Sequence, residues 1–467
     1  MINKSKEKEA MPTQKYADRI KNFDEVELGY DEKAAVKEAN RCLSCKSKPC
    51  VSGCPVGVDI PGFINKVKTG DFKVAFDIVS KSSPFPEICG RVCPQEKQCE
   101  KFCVRRKTGE SVAIGNLERF VSDCFESSNK NDVVVNNSKY KNYKIAVVGS
   151  GPSGLTCALE LAKKGFDVTV FEALHEFGGV LAYGIPKFRL PKKILNNAIN
   201  KLKSHNVKLI NNCLVGSTVT IDELLEKGYS AVYISSGAGL PKLMNIKGEE
   251  LSGVYCANEF LTRINLMNAQ NAEYDTPLTQ LGNVVVIGGG NVAIDAARCA
   301  KRVTAGEVTI MYRRGEDEMP ARLSEINHAK EENIKFEFLK NPVEFIGDDS
   351  GTIKGLKYQN MTYSDLDKSG RKSVVALSDE IHKLSADTII IAIGSGINSV
   401  ISQSTPDLEC DEFGKIIIKN GFTRTSKPLV YAGGDAVIGA ATVILAIDSG
   451  KKAALEISKD LCEGLRQ

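Results

Sequence analysis

The chain has 467 residues, 42% apolar and 26% charged, with 62 Lys and Arg against 58 Asp and Glu. A single core stops growing at about 250–300 residues, so two or three domains are expected. The net charge of +4 leaves no electrostatic footprint for nucleic acid or a membrane surface, no stretch approaches the roughly 20 apolar residues of a membrane span, and the polar N-terminus lacks the core of a secretory signal, so a cytoplasmic protein is expected.

Residues 1–140 show no strong strand pattern and read as a mainly helical domain, with helix-like stretches at Asp31–Cys42 and Ile60–Ser80. Nine of the 15 cysteines lie before residue 125. In a reducing compartment they are not a disulfide framework. They run Cys42-x2-Cys45-x4-Cys50-x3-Cys54-Pro55 and then Cys89-x3-Cys93-Pro94-x5-Cys99-x3-Cys103. Iron–sulfur clusters take such thiolates, often from a run ending in Cys-Pro. Zinc is the rival, but only Cys42 and Cys45 make the CxxC knuckle that zinc sites favour. The six cysteines beyond, Cys157 to Cys462, stand singly among apolar neighbours and read as structural thiols.

A Ser-, Asn- and Lys-rich linker is expected at Ser127–Lys141, and the strand Lys144–Val148 follows it. From there strands and helices alternate, the pattern of parallel, doubly wound α/β sheets. The first unit reads Gly149-Ser-Gly151-Pro152-Ser153-Gly154, between a strand and a helix, and the next strand ends at Glu172. This is the dinucleotide fingerprint, with glycines for the turn and for close approach of a pyrophosphate to the helix N-terminus. An acid at Glu172 suits the ribose hydroxyls of an unphosphorylated adenosine such as that of FAD.

The second unit reads Gly288-Gly-Gly290-Asn291-Val292-Ala293, with alanine at the third position. Its next strand, Val308–Tyr312, ends in Arg313 and Arg314 instead of an acid. Arginines hold a 2′-phosphate through charge-assisted bonds, which favours NADPH over NADH. Solvated surface charge is the plain alternative, and Arg322 is a weaker third candidate. Farther on come the strand Lys335–Leu339, a turn-rich excursion at Asp348–Gly370 and the strand Ala386–Gly394. Near the C-terminus Gly434 and Asp435 follow another strand; Asp435 suits a flavin ribityl chain or, with no ligand, a helix cap. The expected architecture is a helical domain at 1–140, one Rossmann-like domain at 141–280 plus 395–467, and a second at 281–394.

Together these motifs resemble the small-subunit family of bacterial glutamate synthase. Relatives of that family include the large subunit of NADH-dependent ferredoxin:NADP oxidoreductase and the N-terminal half of dihydropyrimidine dehydrogenase. The likeness covers nearly the whole chain. It is carried by Arg41-Cys-Leu-Ser-Cys45, Gly53-Cys-Pro-Val56, Cys89-Gly-Arg-Val-Cys-Pro-Gln95, Ala113-Ile-Gly-Asn-Leu-Glu-Arg119, both glycine loops and Ala432-Gly-Gly-Asp435. The resemblance implies two glutathione-reductase-type domains, one FAD, one NADPH site and two [4Fe–4S] clusters. It implies that Cys42, Cys45, Cys50 and Cys103 hold one cluster. Cys54, Cys93, Cys99 and, unusually, Glu118 then hold the other, and Cys89 is spare. It also places Gly179, in Gly178–Pro186, beside the flavin.

Hydride transfer from NADPH to flavin and onward one-electron transfer need no side-chain acid, base or nucleophile, so no catalytic residue is expected. Glu172–Pro191 contains no cysteine, against a disulfide-reductase role. Neither an N-terminal Cys nucleophile nor a glutamine-hydrolysing module is present in the chain. A second redox subunit is therefore expected, either the glutamate synthase large subunit or, in an electron-bifurcating enzyme, a small flavoprotein working with ferredoxin. The stretches Met11-Pro12, Asn22–Tyr30 and Asp59–Phe63 look closer to the bifurcating branch. A zinc-stabilised nucleotide sensor without turnover is the reading from another class.

Overall fold

The computed structural model describes residues 3–126, 140–271, 273–278, 281–366, 372–419 and 421–463. Of the linker expected at Ser127–Lys141, residues 127–139 lie outside the described residues, and Tyr140 stacks on Phe166. Around the cysteines the chain is helical. The helix expected at Asp31–Cys42 runs Glu32–Ala39, and the Asp31 side chain accepts the Ala34 N–H at its start (2.8 Å). The stretch expected at Ile60–Ser80 is two helices, Ile60–Lys68 and Phe72–Ser80, with Gly70 between them at φ +77°. Two further helices of this domain are Pro86–Val92 and Ile114–Glu126, with short helical turns such as Pro49–Ser52 between the cysteines.

Sixteen strands follow among the described residues. The first four are β1 (Lys144–Val148), β2 (Asp167–Phe171), β3 (Lys208–Ile210) and β4 (Tyr229–Ile234). Next come β5 (Leu240–Pro241), β6 (Val254–Cys256), β7 (Val284–Ile287), β8 (Val308–Tyr312) and β9 (Lys335–Phe338). A meander is formed by β10 (Lys340–Gly347), β11 (Ile353–Leu366), β12 (Lys372–Ala376) and β13 (His382–Ser385). The last described elements are β14 (Thr388–Ile391), β15 (Ser395–Gly396), β16 (Val430–Ala432) and the helix Val443–Glu463.

The first nucleotide domain is a parallel sheet in the order β16-β4-β1-β2-β3, and the second is β6-β14-β7-β8-β9. Ile145–Val148 and β7 are buried throughout, as expected of strands covered on both faces. Two expectations are corrected here. The second domain does not begin at 281: β6 pairs in parallel with β14, residue 254 against 389, so its strand and helix belong to the second sheet. The two crossings between domains, β5 and β15, pair with each other. Among the described residues of the excursion at Asp348–Gly370, 348–351 are turn-like and 353–366 is a long strand paired with β10, β12 and β13. Its Lys, Gly, Ser and Asp content reads as loop, but cross-strand pairing overrides propensity.

One continuous apolar core joins the helical domain to the first nucleotide domain, Phe63, Ile88 and Leu117 sharing it with Leu155, Val170 and Ile447. The helical domain is thus built into the body of the protein. The N-terminal arm crosses to the second nucleotide domain, where the buried Arg19 donates to Glu332 Oε1 (2.9 Å) and the His328 carbonyl (3.1 Å). Arg302 returns a bond to the Asn22 carbonyl (3.0 Å), and the Val26 N–H donates to the Phe188 carbonyl (2.9 Å). Burial pushes the Glu332 carboxyl up, but Arg298 and Arg302 outweigh it and hold it at about 2. No helix among the described residues is long and apolar enough to cross a membrane.

Candidate functional site

A cavity of about 840 Å³ opens where the three domains meet. The first glycine loop enters it directly after β1. Gly149 sits at φ +95°, and a Cβ on Gly154 would stand 2.0 Å from the Gly149 carbonyl oxygen, so both glycines are required by the protein's own backbone. Gly151 differs. Its φ of −66° suits any residue, and nothing lies within 4 Å of the place a Cβ would take. That open face adjoins the N-terminus of the helix Pro152–Lys164, where unpaired N–H groups attract anions. The space matches the approach of a pyrophosphate.

The second loop repeats this design. A Cβ on Gly288 would stand 2.3 Å from the Ala392 carbonyl oxygen, whereas Gly290, at φ −87°, has only a Pro320 carbon at 4.0 Å. Ala293 is fully buried against Gly288 and serves packing. Gly290→Val is therefore expected to fold and keep its flavin while losing nucleotide binding. Titration of the flavin-loaded protein with NADP⁺ checks this, and retained binding would show that the open face is not a nucleotide site.

Gly149, Gly151, Pro152, Ser153, Glu172, Gly179, Asn291, Val292 and Asp435 all line the one cavity. Gly434 stands behind the wall, at φ +62° and against Ser153. Glu172 is buried and accepts the Ser150 N–H (2.9 Å), the Ser150 hydroxyl and the Leu174 N–H (2.9 Å). A carboxylate has about four acceptor positions, so roughly one remains for a ribose hydroxyl. Burial pushes the Asp435 carboxyl up to about 6, while the Ala441 N–H bonded to it (3.3 Å) opposes the shift. Asp435 opens the short helix Asp435–Ile438, whose cap position Gly434 occupies.

Arg313 is exposed, but Arg314 is buried and donates to the Lys372 carbonyl (2.9 Å). Arg322 is committed elsewhere, which corrects its place among the phosphate candidates. Its guanidinium donates to the Arg91 carbonyl (2.7 Å) and Gln95 Oε1 (3.0 Å), tying the second nucleotide domain to the cysteine-bearing one. Sequence reasoning missed Asp295, which lines the cavity one helical turn after Asn291 and pairs with Arg189 (2.6 Å). The i, i+4 spacing within the glycine-loop helix was a usable signal for it. Nothing local marked Arg189.

The cysteines do not group by motif run: Cys103 of the second run stands with the first, and Cys54 of the first run stands with the second. Cys42, Cys45, Cys50 and Cys103 line one small cavity walled by Leu43, Ile60, Ile64 and Ile114. The Ser44 N–H points at Cys42 Sγ (3.4 Å) and the Val112 N–H at Cys103 Sγ (3.5 Å), bonds of the kind that tune a cluster. Cys54, Cys93, Cys99 and Glu118 are close enough to feel one another's charge, and Cys89 adjoins Cys93 and Cys54. Contact with Cys89 and burial push the Cys93 thiol well up, and burial raises Glu118 to about 8. Such groups become anionic donors only beside strong positive charge, which a metal centre supplies. Val92 and Pro94, on either side of Cys93, form part of the large cavity's wall.

Two family models match the chain. Residues 19–130 match the dihydropyrimidine dehydrogenase domain II, described as a 4Fe-4S cluster domain, and residues 143–450 match pyridine nucleotide-disulphide oxidoreductase. The glutamate synthase [NADPH] small chain of Escherichia coli (strain K12) is 33% identical over 92% of this chain and 92% of its own length. The NADPH-Fe(3+) oxidoreductase subunit beta of Geobacter sulfurreducens (strain DL-1 / KN400) is 35% identical over 96% of this chain and 69% of its own. Among solved structures, FprA from Mycobacterium tuberculosis in complex with NADPH superposes with a TM-score of 0.56 at 23% identity, covering 69% of this chain and 86% of that one, a likeness of fold.

Proposed function

The chain belongs to the family of the glutamate synthase NADPH small chains, and from that premise we propose that it passes electrons from NADPH through FAD and two [4Fe–4S] clusters to a partner subunit that makes glutamate. That it is an oxidoreductase with a 4Fe-4S domain and a pyridine-nucleotide domain follows from the family. The observation that carries the proposal is the shared cavity. Its wall includes the first glycine loop, the start of the second glycine-loop helix and both neighbours of Cys93. Bound FAD and clusters supply hydride acceptance and one-electron transfer.

The protein's own residues bind and orient. Gly151 and the following helix N-terminus hold the flavin pyrophosphate, Glu172 a ribose hydroxyl, and Asp435 the ribityl chain. Gly290 leaves room for the nicotinamide dinucleotide's pyrophosphate, and Arg313 reads its 2′-phosphate. Cys42, Cys45, Cys50 and Cys103 hold the first cluster, and Cys54, Cys93, Cys99 and Glu118 the second. The 4Fe-4S family match turns the reading away from zinc. Because small chains are named as parts of larger enzymes, the proposal includes a second redox subunit.

A visible spectrum of anaerobically purified protein, before and after NADPH or NADH, tests this. Flavin bands on a broad iron–sulfur absorbance are expected, bleached preferentially by NADPH. A protein reconstituted with FAD and iron that ignores both nucleotides would overturn the reading. Assays with glutamine plus 2-oxoglutarate, against ferredoxin plus NAD⁺, each with the partner subunit, then identify the acceptor.

A further inference from the structure

The loop after β8 poses an electrostatic problem. Arg313 and Arg314 suit a 2′-phosphate, yet Glu316, Asp317 and Glu318 follow almost at once. Carboxylates so close to a bound phosphate oppose it, and the arginines alone do not leave a clear positive excess.

The antiparallel meander reaches back over this loop. The Tyr363 hydroxyl on β11 accepts the Gly315 N–H (2.9 Å) and donates to Glu318 Oε2 (2.6 Å). Lys372, opening β12, places its ammonium 3.1 Å from Glu318 Oε1 and 4.7 Å from the centre of the Tyr363 ring. Its backbone carbonyl is the acceptor for Arg314. Lys330 pairs in the same manner with Glu316. A Cβ on Gly315 would stand 2.6 Å from the Tyr363 hydroxyl, so a side chain there would push the tyrosine off the loop. The Tyr363 hydrogen bond, and then Lys372, hold the Glu318 carboxyl below its usual range.

We propose that Tyr363 and Lys372 are specificity-determining positioning residues, which brace the Arg313–Gly315 turn and mask Glu318 so that the loop offers net positive charge to a nucleotide 2′-phosphate. The proposal rests on the reading of Arg313 as the phosphate ligand. Tyr363 and Lys372 act through the loop: Tyr363 sets the path of the backbone at Gly315, and Lys372 both anchors Arg314 and offsets Glu318. Discrimination between NADPH and NADH therefore depends on a hairpin whose Tyr363 lies 50 residues beyond Arg313.

The test compares 2′,5′-ADP with 5′-AMP binding to the flavin-loaded, full-length protein by calorimetry. Tyr363→Phe is expected to weaken 2′,5′-ADP by about fivefold, the scale of one hydrogen bond, and to leave 5′-AMP unchanged. Lys372→Met is expected to do the same by about tenfold, with a shallower dependence on salt. In an Arg313→Ala background Tyr363→Phe should add almost nothing. If Arg313→Ala loses 2′,5′-ADP but Tyr363→Phe does not, the bracing role is wrong. Equal weakening of both nucleotides by Tyr363→Phe also overturns it, since that marks general loosening of the fold. An Arg313→Ala protein that binds 2′,5′-ADP normally removes the phosphate reading itself.

Discussion

Gly151→Val is expected to yield a folded protein without flavin, whereas Gly154→Val is expected not to fold. Both glycines belong to one fingerprint, but their surroundings differ. A side chain at 154 meets the Gly149 carbonyl oxygen at 2.0 Å and the Ser235 hydroxyl at 2.7 Å, inside the helix–strand contact. Overpacking of that kind costs about 1–3 kcal/mol, and more where backbone must move. At 151 a side chain meets nothing within 4 Å, and the extended φ and ψ of −66° and 179° are ordinary for valine. What it fills is the space in front of the helix N-terminus. The flavin-to-protein absorbance ratio and the melting curve, read against wild-type protein stripped of flavin, separate the two effects. A Gly151→Val protein with full flavin content would show that the pyrophosphate lies elsewhere.

Cys103→Ala is expected to remove about half of the iron while leaving the flavin in place, since each proposed cluster has its own ligand set. Cys103 lies far in sequence from Cys42, Cys45 and Cys50, yet all four line one cavity. Cys89→Ala, by contrast, is expected to keep the iron. Cys89 is buried beside Cys93, and the Ser83 hydroxyl points at its sulfur (3.5 Å). Iron analysis and the reduced-state magnetic resonance spectrum decide between them. Should Cys89→Ala lose iron and Glu118→Ala keep it, the fourth ligand of the second cluster would be Cys89.

Much of this protein was legible in its sequence because the relevant constraints are local. The extents of β1 and β2, the glycine loops and Glu172 at a strand end follow from patterns a few residues long. Period, turn chemistry and helix N-terminus geometry act at that range. The cysteine spacings likewise set a metal-binding region apart from the six scattered cysteines, of which only Cys157 and Cys299 are buried and Cys462 is exposed, against the expectation of buried structural thiols.

Long-range pairing was hidden. β6 joins the second sheet only by bonding to β14, more than a hundred residues later. The strand at 353–366 reads as loop until its partners on both edges supply the hydrogen bonds. Arg322 matched a phosphate ligand by type and position, but its nearest acceptors are Arg91 and Gln95 of another domain. The same applies to Arg189 with Asp295, and to Tyr363 beside Gly315. Sequence alone determined which chemistry this chain carries, because a binding loop is a local object. Only the tertiary structure decided that Arg313 stands exposed while Arg322 holds two domains together, because a charged side chain takes its role from whatever acceptor packing brings within reach.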